Sequence, residues 1–392
     1  MSTNLNELKG SKVKKKHFKP KHQKAKVFRA NEPLLSVFMW GINHTISGLT
    51  HVNIPVMLMP DDFKAFSKIR VDNHHFNKEN MPSHFKVKEY CPLVFRNIRE
   101  RFGINETDYI NSLTKSQPVP ADAKYRNNTK LYESYDKLFV IKVLQSEEVE
   151  FMHTLLKQYH PYIVEKHGKT LLPQYLGLYR LTVEGTETYL IVMRNIFSGT
   201  LAIHCKYDLK GTAVDREASV KEKIKEFPTL KDGDFIQEGC KLNVGPEQKE
   251  KILALLNSDV EFLSRLHLTE YSVCLGIHDC QLAEEEEEKK DASNEEEDCE
   301  EEGSEDSVTA VPTPPESPRI ISISNGVKNS KTSLGPYAFC SSENSPRREI
   351  YFMALVDILS HYGTRKRTAT ISSTQPEQYA RRLVDFMSKA ML

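Results

Sequence analysis

The chain moves between two hydrophobic periods. Leu138–Leu144 reads LFVIKVL, an apolar run broken by one lysine, and predicts a strand. The next residues, SEEVEFMHTLLKQYH, set Met152, Leu155, Leu156 and Tyr159 on one helical stripe. Ser146 stands at the capping position, and Glu147 and Glu148 suit the positive end of the helix. LPQYLGLYRLTV and ETYLIVMRNIF then read as two strands joined by the turn EGTE, so that strand, helix and paired strands make a small sheet lobe. A second lobe opens near Cys205. Its strongest helix is GPEQKEKILALLNSDVEFLSRLHL, started by Gly245-Pro246, with Ile252, Leu256, Val260 and Leu263 at helical spacing. YSVCLGIHD and EIYFMALVDILSHY follow as strand-like runs, and PEQYARRLVDFMSKAML closes the chain as a helix presenting Tyr379, Leu383, Phe386 and Met387.

Before these lobes, LLSVFMWGINHTI and VKEYCPLVFRNIRERFGI offer helical or mixed apolar faces, and residues 116–130 read as a turn-rich connector. The expected organisation is a basic arm over 1–30, an N-terminal lobe over 31–200 and a C-terminal lobe over 201–392. Residues 283–347, acidic and rich in Ser and Pro, are expected to be a disordered insert in the second lobe. In that insert, Thr313-Pro314, Ser317-Pro318 and Ser345-Pro346 suit either proline-directed phosphorylation or an inert tether.

Charge changes the picture because it is segregated. Lys+Arg and Asp+Glu balance at 54 each, yet Lys9–Arg29 holds nine lysines and one arginine without an acid. Such an arm fits an anionic surface, nucleic acid or an import signal. Phe18 and Phe28 are its only aromatics, too few for base stacking, so nucleic acid is not expected as the partner. The seven cysteines form no C-x-x-C pair, which argues against disulfide staples or a zinc site. No run reaches a membrane span and the start lacks the apolar core of a signal peptide. A cytoplasmic protein, peripheral on membranes and with a nuclear pool, is the expectation.

Three places carry candidate chemistry. Lys142 is a lone ammonium in an apolar strand, either snorkelling to solvent or aimed at phosphates in a cleft. Asp357 is an acid in an apolar strand-like run, either an end cap or a carboxylate for Mg²⁺ beside phosphates. CKYDLKGTAVDREAS puts Lys206, Lys210 and Arg216 around a Gly-Thr turn with Asp208 and Asp215 between them. These charges either neutralise one another or hold an external anion. A lysine strand in one lobe and an acid strand in the other fit a two-lobed kinase.

YDLKGTAVDREAS, KEFPTLKDGDF, SDVEFLSRLHLTEYSVCLGIHD and YFMALVDILSHY resemble the signature blocks of the phosphatidylinositol phosphate kinases. KVFRANEPLLSVFMWGINHTI, HVNIPVMLMPDDF and TLLPQYLGLYRLTV resemble the type II branch, the phosphatidylinositol 5-phosphate 4-kinases. The resemblance runs from about Lys19 to the C-terminus, outside the acidic insert. It implies an α+β, two-lobed, divergent kinase-like fold: an antiparallel sheet with helices, then a mixed sheet with helices. It also implies ATP and Mg²⁺ as cofactors, phosphatidylinositol 5-phosphate as substrate, a flat basic face on anionic membrane, and a homodimer or a heterodimer with related kinases.

Carried over by position, the resemblance makes Lys142 the nucleotide-phosphate lysine, Asp357 the Mg²⁺ ligand, and Arg194, Asn195 and Ile196 the purine hinge. Arg216, with Lys210, falls on the inositol-phosphate side, where arginine suits forked contacts. Arg365, Lys366 and Arg367 fall in the lipid-specificity loop, and Ala369 stands where the type II branch has alanine.

Three departures accompany the likeness. Glu270 stands where the family has the catalytic aspartate, one methylene longer in a position where a displacement of about 1 Å costs on the order of 10²-fold. The flap segment ADAKYRNNTKLYESYDK holds no glycine, leaving Asn127 and Asn128 to make its turn. The loop GTRKRTATISSTQPEQ is shorter than its family counterpart. The expectation is a lipid kinase of low turnover; the rival is a non-enzymatic phosphoinositide-binding scaffold that dimerises with active relatives.

Overall fold

The strand with the lone lysine lies near the middle of a larger sheet. In a computed structural model of the chain, the described residues are 28, 30–53, 55, 57–72, 81–121, 130–197, 199–297, 334–359 and 375–392, with side chains only to 289 in the stretch ending at 297. Most of the basic arm, Asn127 and Asn128, Thr313, Ser317, and Arg365, Lys366, Arg367 and Ala369 lie outside the described residues.

The first lobe begins with helix α1 (Pro33–Leu49), followed by β1 (Phe66–Val71), β2 (Phe85–Tyr90), α2 (Pro92–Arg101) and α3 (Glu106–Thr114). Short strands β3 (Val119–Pro120) and β4 (Leu131–Glu133) lead into β5 (Phe139–Leu144), then α4 (Ser146–Glu165), β6 (Tyr175–Val183) and β7 (Thr186–Arg194). The strands form one antiparallel sheet in the order β1-β2-β6-β7-β5-β4-β3. The β6–β7 turn is two residues long, with Glu184 and Gly185 at φ 51 and 83, the left-handed pair whose twist matches the flanking strands.

Helix α4 starts one residue earlier than the sequence suggested. Gln145 is its N-cap and Ser146 its first helical residue; the Gln145 amide donates to Glu148 Oε2 at 2.8 Å. The predicted stripe of Met152, Leu155, Leu156 and Tyr159 is buried.

The second lobe contains β8 (Cys205–Leu209), α5 (Val220–Lys223), β9 (Thr229–Lys231), α6 (Asp232–Gln237), α7 (Pro246–Arg265), β10 (Ser272–Asp279), α8 (Cys280–Glu297), β11 (Ala338–Cys340), β12 (Glu349–Val356) and α9 (Pro376–Ala390). Its sheet runs β11-β12-β10-β8-β9 and is mixed, since β8 and β9 are parallel. On α7, Ile252, Leu256, Val260 and Leu263 are all buried, as their spacing predicts. One hydrophobic cluster joins α4 and β6 of the first lobe to α7, β10, β12 and α9 of the second.

The expectation for residues 283–347 needs correcting at both ends. Helix α8 continues through Glu297, because an acidic, lysine-bearing stretch free of Gly and Pro sustains helix without a core. From 334 the chain is back in the fold, and Tyr337 is buried. Its hydroxyl donates to Leu172 O at 2.8 Å and accepts from the Gln174 amide at 3.1 Å. The apolar run LGPYAFC is short and broken by Gly335-Pro336, so it gives no periodic signal and the sequence pattern does not reveal this return.

Candidate active site

A cavity of about 220 Å³ opens between the two sheets. Its upper wall includes Val140 and Lys142 of β5 and Met193 and Arg194 of β7; its lower wall includes Asp208 of β8 and Asp357 just past β12. Asn195 and Ile196, which leave β7 to join the lobes, complete one end. Lys142, Arg194, Asn195, Ile196 and Asp357, far apart in sequence, therefore share one space.

The neighbours of Lys142 on β5 pack into the sheet, while its own side chain points into the cleft. Its ammonium lies 3.2 Å from Glu148 Oε1 in the first turn of α4. Because Glu148 Oε2 also accepts the Gln145 amide, the carboxylate is held from both sides. Among the glutamates of that helix, Glu148 is thus the partner that the sequence left unnamed.

Asp357 is not inside its strand. Strand β12 ends at Val356, and Asp357 turns into the left-handed region at φ 62, a conformation uncommon for a residue with a side chain. The turn aims the carboxyl into the cavity, open to solvent on one side yet ringed by protein. Burial pushes its pKa up, Lys142 pulls it down, Asp208 raises it and Lys210 lowers it. Arg194 is half-buried beside Tyr337, and burial lowers the pKa of its guanidinium.

Arg216 does not line this cavity. It lies behind Asp208, with Nη2 at 2.5 Å from Asp208 O and 3.1 Å from Asp208 Oδ2, and Nε at 3.0 Å from Asp232 Oδ2. Asp232 is fully buried, and its Oδ1 accepts the amides of Gly211 at 2.7 Å and Lys210 at 2.9 Å, with Thr212 at 3.3 Å. The anion that organises the Lys210–Arg216 loop is therefore internal. Two glycines allow this wrapping: Gly211 takes φ 78 with Leu383 Cα 2.7 Å from where a Cβ would sit, and a Cβ on Gly233 would meet Arg216 O at 2.7 Å.

Lys210 reaches the other way, its Nζ 3.2 Å from Glu270 Oε2. Glu270 precedes β10 with φ 67, so it is also left-handed. Asp208, Glu148, Asp232 and Tyr337 are the residues that sequence reasoning passed over or left undecided. The acids flanking glycine in LKDGDF were the one available sign of a loop anchor.

The family model described as phosphatidylinositol-4-phosphate 5-kinase matches residues 123–390. The chain belongs to this family. It is 54% identical over 398 residues to the mouse and human proteins named phosphatidylinositol 5-phosphate 4-kinase type-2 alpha, covering 96% of this chain and 95% of each relative. It is 53% identical over 393 residues to the human type-2 beta protein, covering 96% and 94%. The family's kinase-like fold is the two-lobed α+β architecture described above, and its members act on phosphoinositides.

Proposed function

We propose that this protein transfers the γ-phosphoryl group of ATP to the 4-hydroxyl of phosphatidylinositol 5-phosphate, giving phosphatidylinositol 4,5-bisphosphate. The observation that carries the reading is the Lys142–Glu148 pair facing Asp357 across one cleft, in a chain so similar to proteins named for that reaction. Lys142, held by Glu148, binds the nucleotide phosphates. Arg194, Asn195 and Ile196 frame the purine.

Asp357 and Asp208 fit a Mg²⁺ ion: both face the cavity, and Asp208 Oδ1 is buried without a hydrogen-bond partner among the described residues. One or two carboxylates plus phosphate oxygens are the ordinary Mg²⁺ set, and the ion would neutralise charge on the transferring group. Glu270, oriented by Lys210, takes the proton of the attacking hydroxyl. Arg216 meets the substrate phosphate through Nη1, the one guanidinium nitrogen with no partner among the described residues. Arg365, Lys366 and Arg367 add lipid contacts, and Ala369 accords with a 5-phosphate substrate.

Turnover is low in this reading, because the longer Glu270 is already tied to Lys210. The same contact supports the second reading, a phosphoinositide-binding scaffold. The outer edge of β1, the first strand of its sheet, has exposed Phe66 and the nearby exposed Met57 and Met59, which supports a dimer through the first lobe, between like chains or with related kinases. No helix among the described residues is long and apolar enough to cross a membrane, and a peripheral cytoplasmic location with a nuclear pool remains the proposal.

The test is a lipid-kinase assay with Mg·ATP and vesicles containing phosphatidylinositol 5-phosphate, on the parent and on Glu148→Gln and Lys142→Met. Measurable product from the parent and a drop of roughly 10²-fold or more in the variants is expected. Nucleotide binding without product in the parent would favour the scaffold, and variants as active as the parent would overturn the cleft assignment.

A further inference from the structure

Asp259, on α7 of the second lobe, is 1% exposed. The hydrogen bonds its carboxylate accepts come from the last turns of α4 and from the segment joining α4 to β6 in the first lobe. Tyr162 OH and Thr170 Oγ1 donate to Oδ1 at 2.6 and 2.7 Å, and the Leu171 amide donates to Oδ2 at 2.6 Å. The Tyr162 ring also stacks on Phe262 of α7, centroids 4.2 Å apart at 19°. Leu171 O accepts the Leu355 amide at 2.7 Å, so the same short segment holds β12 just before Asp357.

We propose that Asp259 is a positioning residue for phosphoryl transfer: it pins the C-terminal end of α4 to α7 and thereby fixes Glu148, at the other end of α4, against Lys142 and Asp357. The proposal rests on the reading of the cleft given above. The lever is long. Over the roughly 30 Å of a 20-residue helix, a tilt of about 2° at the pinned end moves the far end by about 1 Å. A displacement of about that size costs on the order of 10²-fold in well-oriented reactions.

Protonation of Asp259 offers a signature that plain packing lacks. The titratable or charged groups facing it are Tyr159 and Tyr162 of α4, Lys166 just beyond, and Tyr337 from the segment before β11. Burial, which outweighs the hydroxyl and amide donors and Lys166, pushes Asp259 up to about 6. Once protonated, the acid can donate only to a hydroxyl, so the Tyr162 or Thr170 contact must reverse direction; Ser258 Oγ, 3.2 Å from the Tyr162 hydroxyl, can take the Tyr162 proton when it does. The sign for folding runs the other way. A carboxyl whose folded pKa lies above its unfolded value adds stability as pH falls through 6, so activity lost there through Asp259 is not unfolding.

The test is steady-state kinetics of the full chain from pH 5 to 8, varying Mg·ATP and vesicle phosphatidylinositol 5-phosphate, for the parent, Asp259→Asn and Tyr162→Phe. Asp259→Asn, whose amide keeps an oxygen for the Leu171 N–H but must reverse both hydroxyl contacts, is expected to lower kcat/KM for ATP by about tenfold or more, with KM for lipid unchanged. It should also lose the acid limb near pH 6 that the parent shows beyond the nucleotide's own titration, which is common to both. Tyr162→Phe, a milder change, should lower kcat/KM for ATP several-fold and shift that limb. If Asp259→Asn fails to fold, Tyr162→Phe decides. Variants within twofold of the parent, an unaltered acid limb, or a rise in KM for lipid as large as the loss in kcat/KM for ATP would overturn the proposal. Should Glu148→Gln be harmless as well, the cleft reading falls; should Glu148→Gln abolish activity while these variants do not, only the latch falls.

Discussion

Arg216 and Asp232 meet at 3.0 Å, a guanidinium and a fully buried carboxylate from opposite ends of a 17-residue stretch. The basic loop that looks built for an outside anion is first of all folded around one of its own. What it offers to a substrate phosphate is the remainder of its donors, held in place by the internal pair.

Removing that carboxylate should therefore cost more than removing a surface ion pair. Asp232→Ala leaves the Arg216 guanidinium and several amides without their acceptor. Breaking a buried pair in this way costs about 3–5 kcal/mol. Denaturant unfolding of the parent and the variant measures it, with loss of kinase activity alongside. A cost below about 1 kcal/mol would mean that the loop does not depend on Asp232.

Glu270 sits in the left-handed region, where aspartate is more at ease than glutamate, and it reaches Lys210 with its extra methylene. Glu270→Asp should raise kcat about tenfold or more, with KM for ATP little changed, read from initial rates at saturating lipid. Unchanged or reduced turnover would show that the length of this side chain is not what limits the reaction.

Glu89 gives a pH signature that the cleft does not share. It is fully buried on β2, facing the Arg99 guanidinium and the Thr45 and Tyr179 hydroxyls. Burial, only partly offset by Arg99, pushes its pKa from 4.5 up to about 7. The folded state then holds a proton that the unfolded state has lost between about pH 4.5 and 7. Stability from this group is therefore greatest at the acid side of that window and falls as pH rises through it, by roughly 3 kcal/mol in all. Asp259 adds a slope of the same sign up to about pH 6. Thermal melts of the parent should show higher stability at pH 5 than at pH 7.5, and Glu89→Gln should flatten the difference. A parent curve that rises with pH across this window would contradict it.

Periodic elements are legible in the chain's hydrophobic pattern. The stripe on α4, the four aliphatic residues on α7 and the paired strands β6 and β7 follow from hydrophobic spacing, which local chain geometry alone enforces. Chemistry that stands out against its neighbours is legible too: Lys142 and Asp357 are charges set in apolar runs, and both line the cleft. Residues without contrast are not. Asp208 and Asp232 are acids among many charges, and Tyr337 lies in a short apolar run on the far side of an acidic stretch.

By itself, then, the sequence determined the long periodic helices and strands, the family and the candidate residues on either side of a cleft, because periodicity and unusual words are properties of the chain. Only the tertiary structure decided which charges are partners. It gave Glu148 to Lys142, Asp232 to Arg216 and Glu270 to Lys210, because an ion pair depends on distances of about 3 Å between groups whose separation along the chain ranges from 6 to 60 residues.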